Sequence, residues 1–252
     1  MEYSGKDIKE TVQQIAEVLL SNGGFLINPG LYSGEVGLVL FFSRYARFTQ
    51  NDLYLEYAYG LIEKIQHRIH LDTPINYKYG LTGIGSAFEY LVQNGFFEAD
   101  TDEILEDFDK RIFFTYNIPY LPVQDIVDIW YYIHWRLSGD SMLKDEIQQF
   151  ILPQTEKAMQ HHFVDPATLH FNQKVIPADF EEKTYARYLE ACFTHPKEGY
   201  LKNDFWKKEP GLQNGLAGWG MSLLTELDGD DSWFALFQND YLSTDSTNLH
   251  EI

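Results

Sequence analysis

The chain is poor in cysteine, in positive charge and in long apolar runs, and each shortage excludes something. A single cysteine, Cys192, stands in 252 residues, so no disulfide can form within the sequence and a reducing compartment is expected. Nineteen lysines and arginines oppose 38 aspartates and glutamates, for a net charge of −19. A field of that sign repels phosphate backbones and anionic lipid, so neither nucleic acid nor membrane is an expected partner. No segment approaches the roughly 18 continuous apolar residues of a membrane span. The start, Met1 to Asp7, lacks the basic flank and apolar stretch of a signal peptide, and a cytoplasmic, soluble protein is the expectation. Neither a phosphate-binding glycine loop with its lysine nor a nucleophile-elbow pattern occurs.

What the chain has instead is a repeated glycine motif. Gly80-Leu81-Thr82-Gly83-Ile84-Gly85 returns as Gly215-Leu216-Ala217-Gly218-Trp219-Gly220, and a looser copy, Gly34-Glu35-Val36-Gly37-Leu38, lies upstream. The first interval is 46 residues and the second 135, three steps of 45. Such a period marks a helical repeat that leaves no room for a linker, and one domain over residues 1–252 is expected. Glycines at i and i+3 share one side of a first helical turn, where a missing Cβ lets another backbone approach. Gly83 and Gly218 are therefore expected at crowded positions between inner helices.

Between the motifs the chain alternates amphipathic helices with polar turns. An N-terminal helix over about 7–21, with Ile8, Val12, Ile15 and Leu19 in step, leads through a loop to residue 29. A glycine helix over 34–48 and a second helix carrying Leu53, Tyr57, Leu61, Ile65 and Ile69 form one hairpin. The next unit repeats the plan, with one helix bearing Leu105, Phe108, Ile112 and Tyr116, capped by Asp100 with Glu103 as its partner. A further step of 45 lands on Asp125 and Asp128, where the glycines have become aspartates. A fourth, irregular unit holds a helix over 179–193; the last runs over 215–227 with a short helix at 233–237, and 243–252 reads as a loose tail.

The glycines fall on the first helix of each pair and the wider polar face on the second. That asymmetry favours an all-α fold, an α/α toroid of inner and outer helices built from about five hairpins as an incomplete ring. The three motifs, each opening a helix, resemble the inner-helix motifs of the lanthionine synthetase C-like family. The closing run from Gly215 to Leu227, with its acidic turn and short helix, is similar to that family's last repeat. The resemblance implies a barrel of seven such units in longer chains, and in some members the addition of cysteine thiols to dehydroalanine or dehydrobutyrine. It also implies zinc held by two cysteines and a histidine, one cysteine directly followed by His-Gly.

This sequence has no Cys-His pair and no second cysteine. Cys192 and His195 are three apart but match neither ligand motif, so no zinc or other cofactor is expected and Cys192 reads as a buried thiol. Among the histidines, His161 and His162 are adjacent and cannot share a helix face, His67 and His70 sit at a helix end, and His134, among aromatics, reads as a core residue. The constellation fit for acid–base work is acidic. Aligned units place Glu35, Asp125 and Asp128 near the inner-helix N-termini, facing a central cleft with Tyr32, Tyr77, Tyr79, Gln213, Asn214 and Trp219. Aromatic faces with a few carboxylates suit an extended peptide or a sugar ring, although aspartate at a helix start is also an ordinary cap. The expected function is a peptide- or protein-binding accessory factor in peptide modification, without zinc-dependent cyclase activity. The alternatives are a carboxylate-based glycosidase-like or epimerase-like enzyme and a divergent but active cyclase.

Overall fold

The computed structural model describes residues 5–115, 118–162, 209–213 and 215–237. Every regular element among them is helical, and no described helix is long and apolar enough to cross a membrane. The helix expected over 179–193, Cys192, His195, Asn214 and the tail after residue 242 lie outside the described residues. The described residues pack as two compact units, one drawn from 5–70 and 209–230, the other from 71–162 and 231–237.

In the first unit α1 (Gly5–Asn22) buries Val12, Ile15, Ala16 and Leu19, a single stripe at steps of three and four. Helix α2 (Glu35–Thr49) is buried from Glu35 through Ala46, as a helix enclosed on all sides must be. Gln50 ends it in the left-handed region at φ 53°, its N–H on the Ala46 carbonyl. The Asn51 side chain then caps α3 (Asp52–Arg68), accepting from Leu53 N at 3.2 Å. Helix α3 buries Ala58, Leu61 and Ile65, and the rest of its length is half-buried or exposed. Leu53, the expected start of its apolar stripe, is 68% exposed; its neighbour Tyr54 makes the contact with α2 instead, its ring centroid 4.6 Å from that of Tyr45.

The second unit is built on α4 (Leu81–Gln93), buried from Leu81 through Leu91. The single helix expected to carry Leu105, Phe108 and Ile112 is instead broken. It becomes α5 (Thr101–Ile104), α6 (Glu106–Asp109) and a π-turn over Lys110–Thr115, with Leu105 between the first two at φ −105°, ψ 6°. Leu105, Phe108 and Ile112 are buried all the same; apolar periodicity does not register the one-residue slip of a π-turn. Asp100 caps α5 as expected, accepting from Asp102 N at 2.9 Å and Glu103 N at 3.4 Å. Helix α7 (Val123–Ser138) packs on α4. It is followed by α8 (Lys144–Glu146), a second π-turn (Ile147–Ile151) and α9 (Leu152–His162), while a 3-10 segment, Ser232–Phe237, packs on α4.

The last described α-helix, α10 (Leu216–Asp228), returns to the first unit and packs on α1 and α2. A Cβ on Gly220 would meet the Phe41 ring and, at 3.2 Å, Ile15 Cγ2. On the turn after α10, Gly229 takes φ 75° and closes onto Thr225 O.

The recurring glycines have a common backbone cause. In α2, α4 and α10 the first N–H groups donate to carbonyls seven residues back, on a loop that folds under the helix start: Glu35 N to Asn28 O at 2.9 Å, Leu81 N to Pro74 O at 2.9 Å, Leu216 N to Glu209 O at 2.8 Å. The next N–H repeats the step onto Pro29, Ile75 and Pro210. In each case a Cβ on the glycine before the helix, Gly34, Gly80 or Gly215, would collide with carbonyl oxygens four and six residues earlier. At these three glycines the crowding backbone is their own loop. Gly85 does answer to a neighbouring helix, since its Cβ would lie 2.5 Å from the Tyr132 ring.

Gly80→Ala and Gly220→Val should each lower the melting temperature, at overpacking costs of about 1–3 kcal/mol. Gly60→Ala on α3, where an added Cβ meets nothing within 4 Å, should be neutral or raise it through helix propensity worth up to about 1 kcal/mol. Thermal unfolding of the three variants checks both signs.

Candidate functional site

The nominated carboxylates prove to have different partners. Glu35, the first residue of α2, is fully buried and turns toward α3, where Arg68 Nη1 lies 2.8 Å from its Oε2. Burial pushes its carboxyl above the usual range, against the pull of Arg68. Arg68 also donates to the Leu26 carbonyl, so the pair ties the loop before α2 to the end of α3. Glu35, expected to face a central cleft, is instead fully buried, with its nearest cation on α3.

Asp128 on α7 is 2% exposed. Its Oδ2 accepts from Tyr77 N at 2.8 Å and its Oδ1 from Gln124 Nε2 at 2.9 Å. The carboxylate therefore anchors the 73–80 loop, the one that folds under α4. Asp125, one turn earlier, is half-buried, and burial alone raises its carboxyl above the usual range. Of the three acids it is the one with an exposed face and no partner among the described residues.

The aromatic candidates separate in the same way. Tyr32 and Tyr77 are buried, the latter with its hydroxyl pushed well up by burial and its ring 6.0 Å from Tyr131. The Tyr32 carbonyl accepts from Leu212 N at 2.7 Å and Gln213 N at 2.9 Å, which joins the loop before α2 to the loop before α10. Trp219 is 8% exposed. Tyr79, at 44%, and the half-buried Gln213 are the candidates a ligand can touch without opening the core. In the first unit the structure brings together Tyr32 and Gln213, in the second Tyr77 and Asp128. His134, expected in the core, is exposed: its ring is tilted 50° against that of Trp130 with centroids 3.9 Å apart, and its Nδ1 lies 2.7 Å from the Trp130 carbonyl.

Two buried arginines organise the units and were missed. Arg44 on α2 grips Asp228 with one Nη2 at 2.8 and 3.0 Å and reaches Thr225 Oγ1 at 3.1 Å, clamping α10 to α2. Arg136 on α7, with no exposed surface, meets Glu89 of α4, Asp102 of α5 and Asp109 of α6, with Thr101 and Ser141 beside them. The sequence did carry a signal: Glu89 is the one charged residue between Leu81 and Gln93, and Asp128, Tyr132 and Arg136 recur every four residues along α7. A lone charge in an apolar stretch belongs to a buried pair.

The zinc site implied by the resemblance does not fit these residues. Zinc chemistry of that kind needs two thiolates and an imidazole, and the sequence offers one thiol. Among the described residues no three histidine, cysteine, aspartate or glutamate side chains converge to hold a metal.

Asp128→Ala should destabilise the protein by about 1–3 kcal/mol, since it leaves the Tyr77 N–H buried without an acceptor. Asp128→Asn, which keeps one acceptor oxygen, should lose less. Urea unfolding of the two variants checks the order.

A family model described as lanthionine synthetase C-like protein matches residues 25–116. The match spans the loop before α2, the α2–α3 hairpin, α4 and the segment through the first π-turn. No curated protein and no solved structure matches the chain. Over residues 25–116, therefore, the chain is similar to the lanthionine synthetase C-like family.

Proposed function

We propose that the chain is an α/α toroid that binds a peptide or a partner protein as an accessory factor in peptide modification, without zinc-dependent thiol addition. The observation that carries this reading is the donor set: a lanthionine synthetase C-like segment in a sequence with a single thiol. The toroid is supported within the first unit, where the last glycine helix packs on the first and Arg44 clamps them together. A net charge of −19 favours a cationic ligand and steers its approach. Tyr79, exposed in the second unit, is the contact point the reading assigns to it.

Asp125 favours a second reading. A half-buried carboxylate whose proton is held more tightly by burial is the form a general acid takes, which keeps a carboxylate-based carbohydrate-active enzyme in view.

The test uses a basic synthetic peptide carrying one cysteine and one dehydroalanine. Fluorescence anisotropy should show binding that weakens with salt, while the free-thiol count stays constant with zinc added. Protein-dependent loss of thiol would establish a cyclase and overturn the proposal. Absence of peptide binding, together with glycoside turnover that disappears in Asp125→Asn, would establish the second reading.

A further inference from the structure

The cluster around Arg136 holds more negative than positive groups. Glu89, Asp102 and Asp109, from three different helices, face one guanidinium, and all but Asp102 are sealed from solvent. Fully ionised, the three carboxylates and one arginine leave a surplus of negative charge in a dry interior, which desolvation strongly opposes.

The three acids are not equivalent. Asp102 accepts from Ser141 Oγ at 2.6 Å and Met142 N at 2.6 Å besides Arg136. Although burial opposes its ionisation, those donors hold its carboxyl below the usual range. Glu89 accepts from Arg136 and, at 3.0 Å, from Gln93 Nε2. Asp109 is 2% exposed, and its hydrogen bonds are to Arg136, at 2.9 Å from Oδ2, and to Tyr132 Oη, at 2.7 Å from Oδ1. A phenol both donates and accepts. In the structure Tyr132 Oη donates to Asp109 Oδ1; if the phenol hydrogen turns away, a proton on Oδ1 can be donated to Tyr132 Oη while Oδ2 keeps its bond to Arg136, with no heavy atom displaced. The charged and titratable groups around it are Asp102 from α5, Tyr132 and Arg136 from α7, and Glu89 from α4 across the guanidinium.

We propose that this cluster is a proton-operated lock in the second unit: Asp109 holds a proton shared with Tyr132, and its release leaves a surplus charge that loosens the packing of α4, α5 and α6 on α7. Burial raises the Asp109 carboxyl despite Arg136 and Tyr132, which agrees with the geometry. The sign follows from linkage. A carboxyl whose folded pKa lies above its unfolded value contributes stability at low pH that is lost as pH rises through the folded pKa. Asp102, lowered in the folded state, contributes in the opposite sense, its stabilisation being lost as pH falls.

The experiment compares thermal unfolding of the full chain with that of Asp109→Asn and Asp102→Asn from about pH 4 to about pH 8. The asparagine amide has the shape of the protonated acid and cannot ionise. Asp109→Asn should match or exceed the parent near pH 8, by a shift on the order of 2–4 °C, and lose that advantage toward pH 4. Asp102→Asn should melt lower, with the gap widest at high pH. An Asp109→Asn variant that melts below the parent by a constant margin, or by one that widens as pH rises, would show that Asp109 works as a charge and would overturn the lock. Should that variant fail to fold, the Asp109 carboxyl carbon shift in the unmodified protein decides. A titration midpoint well above that of a free aspartate supports the lock, and an ionised shift throughout the range overturns it.

Discussion

The structure depends on what happens to the first N–H groups of its buried helices. A helix leaves four such donors unpaired at its start, and inside a protein they cannot be left to water. Here α2, α4 and α10 solve the problem with their own chain: a loop passes beneath the helix start and offers carbonyls seven residues back. The arrangement requires a residue without a Cβ at the hinge, and Gly34, Gly80 and Gly215 occupy it. It also uses up the donors that would make such a helix start an anion site, so the motif is an architectural device at each recurrence.

Once the loops are fixed, buried charge joins the helices. Arg44 ties α2 to the end of α10, and Arg136 ties α7 to α4, α5 and α6. Neither interaction is cheap, since desolvating an ion costs several kcal/mol that its partners must return. What an arginine adds over a leucine is direction: its planar fork donates to carboxylates at set angles. Asp228 is met by a single Nη2 through both oxygens, which leaves α10 little freedom to slide on α2.

Much of this architecture was legible in the residues, for a physical reason. Glycine spacing reports a backbone constraint, and backbone constraints repeat with the fold, so Gly34, Gly80 and Gly215 mark three helix starts. The burial of α2 and α4 on all sides follows from their nearly continuous apolar residues, whereas the stripe of α3 was legible only in part, at Leu61 and Ile65 but not at Leu53. Site geometry was far less legible, because a side chain's direction is set by partners distant in sequence. Glu35 turns to Arg68, 33 residues on, and Asp128 reaches back 51 residues to Tyr77 N. The π-turn at Lys110–Thr115 left no mark because Phe108 and Ile112 keep their spacing across it. Arg136 was overlooked although its three acids all precede it within 47 residues.

These assignments constrain where function can reside. Side chains that hold a loop under a helix cannot also leave to meet a ligand without exposing backbone donors, so Asp128 and Tyr77 are bound to their structural task. Tyr32 is bound in the same way through its carbonyl, which carries Leu212 and Gln213. Variation that changes recognition without cost to the fold is therefore open at residues beside the loops whose side chains are not part of them. Tyr79 fits that description, since the loop uses its backbone N–H, donated to Asn76 Oδ1 at 2.8 Å, and leaves its ring exposed. Gln213 fits it as well, with its N–H on Tyr32 and its side chain only half-buried. The fold-back loop thus fixes the backbone at each of these points and leaves the side chain free of a structural task.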